Sequence, residues 1–117
     1  MEIDTFLSKI KEGERVAFTD TMHLIDEHYH YQPVAFTNGP GGDRIANPAG
    51  SNEGSCKIFA FAKLQGLTEA GTLALFGDYY WHDVLENPDG DSHANIRTFI
   101  RYGWKEIRFS GEALLPR

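Results

Sequence analysis

The sequence predicts an α+β fold: a helix-rich single domain of about five helices carrying a small antiparallel sheet. Two observations lead there. Apolar residues recur at helical spacing in five stretches, each ended by Gly or Pro, and three short extended segments lie apart from them beside turn residues. The 117 residues suit one domain. An apolar content of 41% is enough for a core without staples.

Ile3, Phe6, Leu7 and Ile10 follow the i, i+3, i+4, i+7 rule, so the first helix spans about Ile3 to Lys11 and Gly13 ends it. Thr19 or Asp20 caps a second helix with Met22, Ile25 and Tyr29 on its inner face, and Pro33 stops it. Val34 and Phe36 alternate with smaller residues and predict a short strand. The run Asn38-Gly39-Pro40-Gly41-Gly42-Asp43 is a turn, and Arg44 to Asn47 returns as the partner strand. After a polar loop from Pro48 to Gly54, a third helix runs from about Ser55 to Gln65. Its Ile58-Phe59-Ala60-Phe61-Ala62 segment is apolar on every side, which predicts burial at the centre of the fold. Thr68 caps a long fourth helix reaching about Glu86, with Leu73, Phe76, Tyr80 and Val84 as its stripe and Gly77 as a weak point. Asn87-Pro88-Asp89-Gly90 is a turn. Asp91 or Ser92 caps a fifth helix, with Ile96, Phe99 and Ile100 inward and Gly103 at its end. Ile107 and Phe109 alternate and add a third strand to the hairpin.

Composition narrows the function classes. A net charge of −6 gives phosphate-backbone binding little support, so no nucleic acid is expected. No apolar run is long enough to span a bilayer, and the N-terminus lacks the basic start and apolar core of a signal peptide, so no membrane partner is expected either. The lone Cys56 excludes an intrachain disulfide and fits a reducing compartment. Arg97, Arg101, Lys105 and Arg108 recur every three or four residues, as a solvated face or as a docking strip for an acidic partner.

Chemistry gathers at two helix starts. Cys56 follows Gly50-Ser51-Asn52-Glu53-Gly54-Ser55 at the first turn of the third helix. Free N–H groups and the positive dipole end there would lower a thiol pKa and attract an anion. The same Asn52 and Ser55 serve equally as helix caps, and Cys56 equally as a small buried hydrophobe. His93 likewise begins a helix behind a polar loop. If the two starts face each other, a Cys56–His93 pair forms, with Asn95 or Asp89 orienting the imidazole. Asn52, Ser55, Asp89 and Asn95 are then the candidate ligand-binding residues around a small anion. Of the five histidines, His28 and His30 are the close pair, but i and i+2 do not share a helix face and no HExxH-type set completes them. Asn87-x-Asp89-x-Asp91 starts like a calcium loop, yet Ser92 and Thr98 stand where that loop needs Gly and Glu. Neither a metal nor a cofactor is expected. Tyr79-Tyr80-Trp81-His82-Asp83 would circle a helix, so some of these aromatics must pack on a second element or form an exposed patch.

Three motifs in one order, Gly54-Ser55-Cys56-Lys57-Ile58-Phe59-Ala60-Phe61-Ala62, Leu75-Phe76-Gly77-Asp78-Tyr79-Tyr80, and Asn87-Pro88-Asp89-Gly90 followed by His93-Ala94-Asn95-Ile96-Arg97, resemble the HopJ type III effector family over nearly the whole chain. The resemblance implies a bacterial source and carries a name drawn from effectors of plant pathogens, but it supplies no catalytic residues. Secreted effectors of this type begin with a flexible, Ser-rich segment. A helix starting by about Ile3 leaves no room for one, so secretion into a host is disfavoured.

Three readings follow, in this order: a cytoplasmic protein binding a small ligand or a protein through the loops around Asn52 and Asp89; an injected effector acting on a host protein; and a small thiol-dependent enzyme using Cys56 and His93. The deciding observation is whether the Gly50–Cys56 and Asp89–His93 loops line one pocket. The oligomeric state stays open.

Overall fold

The computed structural model describes residues 1–117. Five α-helices and five three-residue strands build an α+β fold in the order α1 (Ile3–Lys11), α2 (Phe18–His28), β1 (Tyr29–Tyr31), β2 (Phe36–Asn38), β3 (Ile45–Asn47), α3 (Glu53–Gln65), α4 (Glu69–Ala74), α5 (Ala94–Tyr102), β4 (Ile107–Phe109) and β5 (Leu114–Pro116). The predicted three-stranded sheet is present: β2 lies between β3 and β4, antiparallel to both, with Phe36 opposite Asn47 and Phe109. A second antiparallel pair, β1 with β5, ties the end of α2 to the C-terminus. It was not foreseen, because three residues carry no periodicity, and Tyr29 is a buried strand residue rather than part of a helix face.

The all-round apolar stretch of α3 is the axis of the core. Ile58, Phe59, Phe61 and Ala62 are wholly buried. The Phe59 ring meets Phe36, Phe76, Phe99 and Trp104 at centroid distances of 4.9–6.3 Å, and so joins the sheet, α5 and the segment after α4. Helix α1 lies where its spacing predicts it, with Phe6 buried and Ile3, Leu7 and Ile10 packed on the core.

Two elements depart from the sequence reading. The expected long fourth helix stops at Ala74. Tight i→i+3 bonds follow (Leu75 N to Thr72 O, Phe76 N to Leu73 O), and Gly77 then takes a left-handed φ of +61°. A side chain there is impossible: a Cβ would stand 2.7 Å from the Phe18 amide nitrogen and 2.9 Å from the Val16 carbonyl oxygen. The Thr21 hydroxyl donates to the Leu75 carbonyl freed by the break, at 2.9 Å. The chain resumes as a π-helical turn over Tyr79–Val84, which re-aims the aromatic run. On α5, Ile100 faces solvent at 45% exposure, whereas Ile96 and Phe99 point inward. Position 100 lies one residue past the buried stripe, and the helix ends two residues later.

Candidate functional site

The starts of α3 and α5 meet. Both helices are entered through a non-glycine residue in the left-handed region, Asn52 at φ +51° and His93 at φ +53°, and these are the molecule's two such residues. Neither side chain caps its own helix. The amides of the first turns, at Glu53–Ser55 and Ala94–Ile96, therefore lack both an intrahelical partner and a side-chain cap. The predicted capping role of Asn52 is replaced by a different bond. Its Nδ2 donates to Asn47 Oδ1 at 2.7 Å, and the same oxygen accepts from Asn95 Nδ2 at 2.9 Å. One atom at the end of β3 thus pins the two helix starts together.

That atom belongs to a buried amide network. Asn47 Nδ2 donates to Asn95 Oδ1 at 3.3 Å and to the Phe36 carbonyl at 3.3 Å. Asn38 Nδ2 donates to the Asn95 carbonyl at 2.9 Å and to its Oδ1 at 3.1 Å. Asn38, Asn47 and Asn95 are all buried, and Asn38 Oδ1 has no partner. Each member left unsatisfied by mutation would cost about 1–3 kcal/mol, so the network fixes geometry strongly.

Between the helix starts lies a half-open cavity of about 360 Å³. Asn52, Gly54 and Ser55 line it from one side and His93, Ala94, Asn95 and Ile96 from the other, with Phe18, Phe76 and Tyr79 as an apolar wall. The wall stands close because Gly54 has no side chain: a Cβ there would come within 2.7 Å of Phe18 Cζ. Phe18 packs on Tyr79 and Tyr79 on His93, each at 4.9 Å between centroids.

His93 is held by Asp83, whose Oδ2 lies 2.9 Å from Nε2. A carboxylate can only accept, so Nε2 carries a proton, and Nδ1 has no partner in the protein. The His93 hydrogen bond, seconded by His82 Nδ1 at 3.3 Å, holds the Asp83 carboxyl below its ordinary pKa. Arg97 fixes the connecting loop by donating to the carbonyls of Ser92 at 2.5 Å, Asn87 at 2.8 Å and Asp83 at 3.4 Å. Among the four cations of the C-terminal strip, then, Arg97 is a loop latch. Arg101 lies 3.8 Å from Asp43, and Arg108 donates to the Lys105 carbonyl.

Of the residues singled out in the sequence, Asn52, Ser55, His93 and Asn95 come together in the cavity. Cys56 does not. It is 1% exposed and points the other way, with Sγ 3.9 Å from the Val34 carbonyl, and burial pushes its thiol pKa up. A helix start lowers a thiol pKa only where the sulfur reaches the exposed end, and one residue of helical rotation turns Cys56 into the core. Asp89 sits on the exposed turn and does not line the cavity. The residue that orients the imidazole is Asp83, not Asp89 or Asn95. His28 Nε2 engages the Met1 carbonyl at 2.8 Å, and no group of three His, Cys, Asp or Glu side chains is arranged to hold a metal. Sequence reasoning missed Asn47, read as a strand end, and Asp83, read as part of the long fourth helix. Gly77 was the signal that the register changes before Asp83.

Comparisons with known proteins agree with this fold. A family model described as HopJ type III effector protein matches residues 3–114. A crystal structure described as that of an unknown function protein, VPA0580, is 42% identical and superposes with a TM-score of 0.93, covering 100% of this chain and 95% of that one. The comparison with curated proteins found no match.

Proposed function

The chain belongs to the HopJ type III effector protein family, and from that premise we propose that it is a cytoplasmic protein whose cleft between α3 and α5 binds a small anionic ligand. The observation that carries the reading is the convergence itself. Two segments some forty residues apart, Asn52–Ser55 and His93–Ile96, line one cavity under a shared pin at Asn47 Oδ1. Uncapped amides at a helix start favour a carboxylate or phosphate oxygen locally, whatever the net charge of the whole molecule. His93 adds a hydrogen-bonding ring and the aromatic wall an apolar surface for the rest of the ligand.

The one cysteine is a buried free thiol, as suits a reducing compartment. Calorimetric titration with sodium acetate and with inorganic phosphate tests the reading. Saturable one-to-one binding is expected. Ser55→Asp places the protein's own carboxylate over the α3 start and should abolish it while the fold persists. An absence of saturable heat for either anion overturns the proposal.

A further inference from the structure

We propose that Ser55, His93 and Asp83 act together as nucleophile, general base and positioning acid in the hydrolysis of a small, short-chain ester, and that the anion held in the cleft is the carboxylate product; this rests on the cleft being the ligand site. Ser55 and the His93–Asp83 pair, carried by three elements, stand on the two sides of the cleft. Ser55 stands on the first turn of α3 and lines the cavity opposite His93. With Nε2–H committed to Asp83 at 2.9 Å, the neutral imidazole of His93 carries its lone pair on Nδ1. Asp83 is in turn fixed, its side chain by His82 and its carbonyl by Arg97 and by Asn87 Nδ2 at 3.2 Å.

The ring cannot swing freely. Tyr79 is stacked 4.9 Å from it at an interplanar angle of 34°, and Phe18 backs Tyr79. Opposite this wall, Asn47 Oδ1 ties Asn52 and Asn95 to one atom, which fixes the separation of the segments carrying Ser55 and His93. No hydrogen bond joins Ser55 to His93 in this structure. Such bonds often tighten only when substrate is bound. Cys56, the neighbouring nucleophile by sequence, is excluded by its burial against Val34.

The chemistry balances with water as the one co-reactant. Ser55 Oγ forms a bond to the ester carbonyl carbon while its proton passes to His93 Nδ1. The oxyanion faces the amides of the two helix starts. The carbon–oxygen bond to the alcohol breaks as that proton moves to the departing oxygen. Water then adds to the acyl-Ser55, giving its proton to Nδ1, and the collapse releases the carboxylic acid and returns the proton to Ser55. Nothing is oxidised or reduced. The 360 Å³ cavity and its wall of Phe18, Phe76 and Tyr79 suit a short acyl chain with an apolar alcohol portion.

The test uses the full chain with a fluorophosphonate probe, read by peptide mass mapping, and with p-nitrophenyl acetate, alongside acetate binding measured on the same preparation. The expected results are a covalent adduct at Ser55, its loss in His93→Gln, and loss of ester turnover in Ser55→Ala. Asp83→Asn should lower kcat about 10²-fold or more with KM within twofold, as expected of a residue that sets the imidazole tautomer. Acetate binding without an adduct overturns this inference and leaves the ligand site standing. Turnover that survives Ser55→Ala overturns the nucleophile assignment. An adduct at another residue overturns it equally, and this readout needs no variant to fold. Failure of both binding and labelling overturns the inference and the proposed function together.

Discussion

At the scale of single residues, the site depends on groups that satisfy each other rather than themselves. Asn52 and His93 hold left-handed backbone conformations that cost a non-glycine residue about 1 kcal/mol or more. The same conformation leaves their side chains off the usual capping position and sends them to Asn47 and Asp83. Asp83 gives a direct check. Its carboxyl is held below 3.8 first by the His93 hydrogen bond and then by that of His82. A carboxyl with a lowered native pKa stabilises the fold above its unfolded value, and that stability is lost as pH falls through the native value. Carboxyl carbon NMR should therefore show Asp83 titrating below 3.8, and His93→Gln should move its midpoint up, with His82 keeping part of the shift. An Asp83 midpoint indifferent to His93→Gln would mean that the pair does not form in solution. The sequence pointed to His93 and Ser55 because both stand at helix starts behind polar loops. It did not point to Asn47, whose role depends on β3 ending beside α3 and α5, and no local pattern encodes that meeting.

At the scale of elements, the sequence was most informative where burial is one-sided or complete. Helix α1 has one apolar stripe, and α3 has apolar residues all round, so both were legible from periodicity. The two breaks in legibility share a cause. After Ala74 and at Ile100 the local pattern still reads as helix facing the core, but tertiary contacts overrule it: Phe18 and Val16 press on Gly77, and α5 runs out of core after Phe99. The π-helical turn that results puts Tyr79 against His93, so the site needs the interruption. Helix α3 supplies the sharpest energetic expectation. Phe59 has no exposed surface and touches four aromatic rings from the sheet, α5 and the segments beside them. Phe59→Ala should lower stability by about 3–5 kcal/mol in urea denaturation. A midpoint equal to that of the parent would remove α3 from the centre of the fold.

At the scale of the whole molecule, the fold brings two polar helix starts from opposite halves of the sequence to one cleft and holds them with an asparagine that belongs to neither. The core of aromatic side chains below them, from Phe36 through Phe59 to Phe99, makes the sheet and both helices one packed unit. A ligand at the cleft would therefore be felt at both starts together. Amide chemical-shift mapping on the labelled full chain during titration with acetate measures this most directly. The signals of Gly54 and Ser55 on α3 and of Ala94 and Asn95 on α5 should move together and fit one dissociation constant. If the two groups fit different constants, or if neither moves while the solution saturates with acetate, the two helix starts do not form one site.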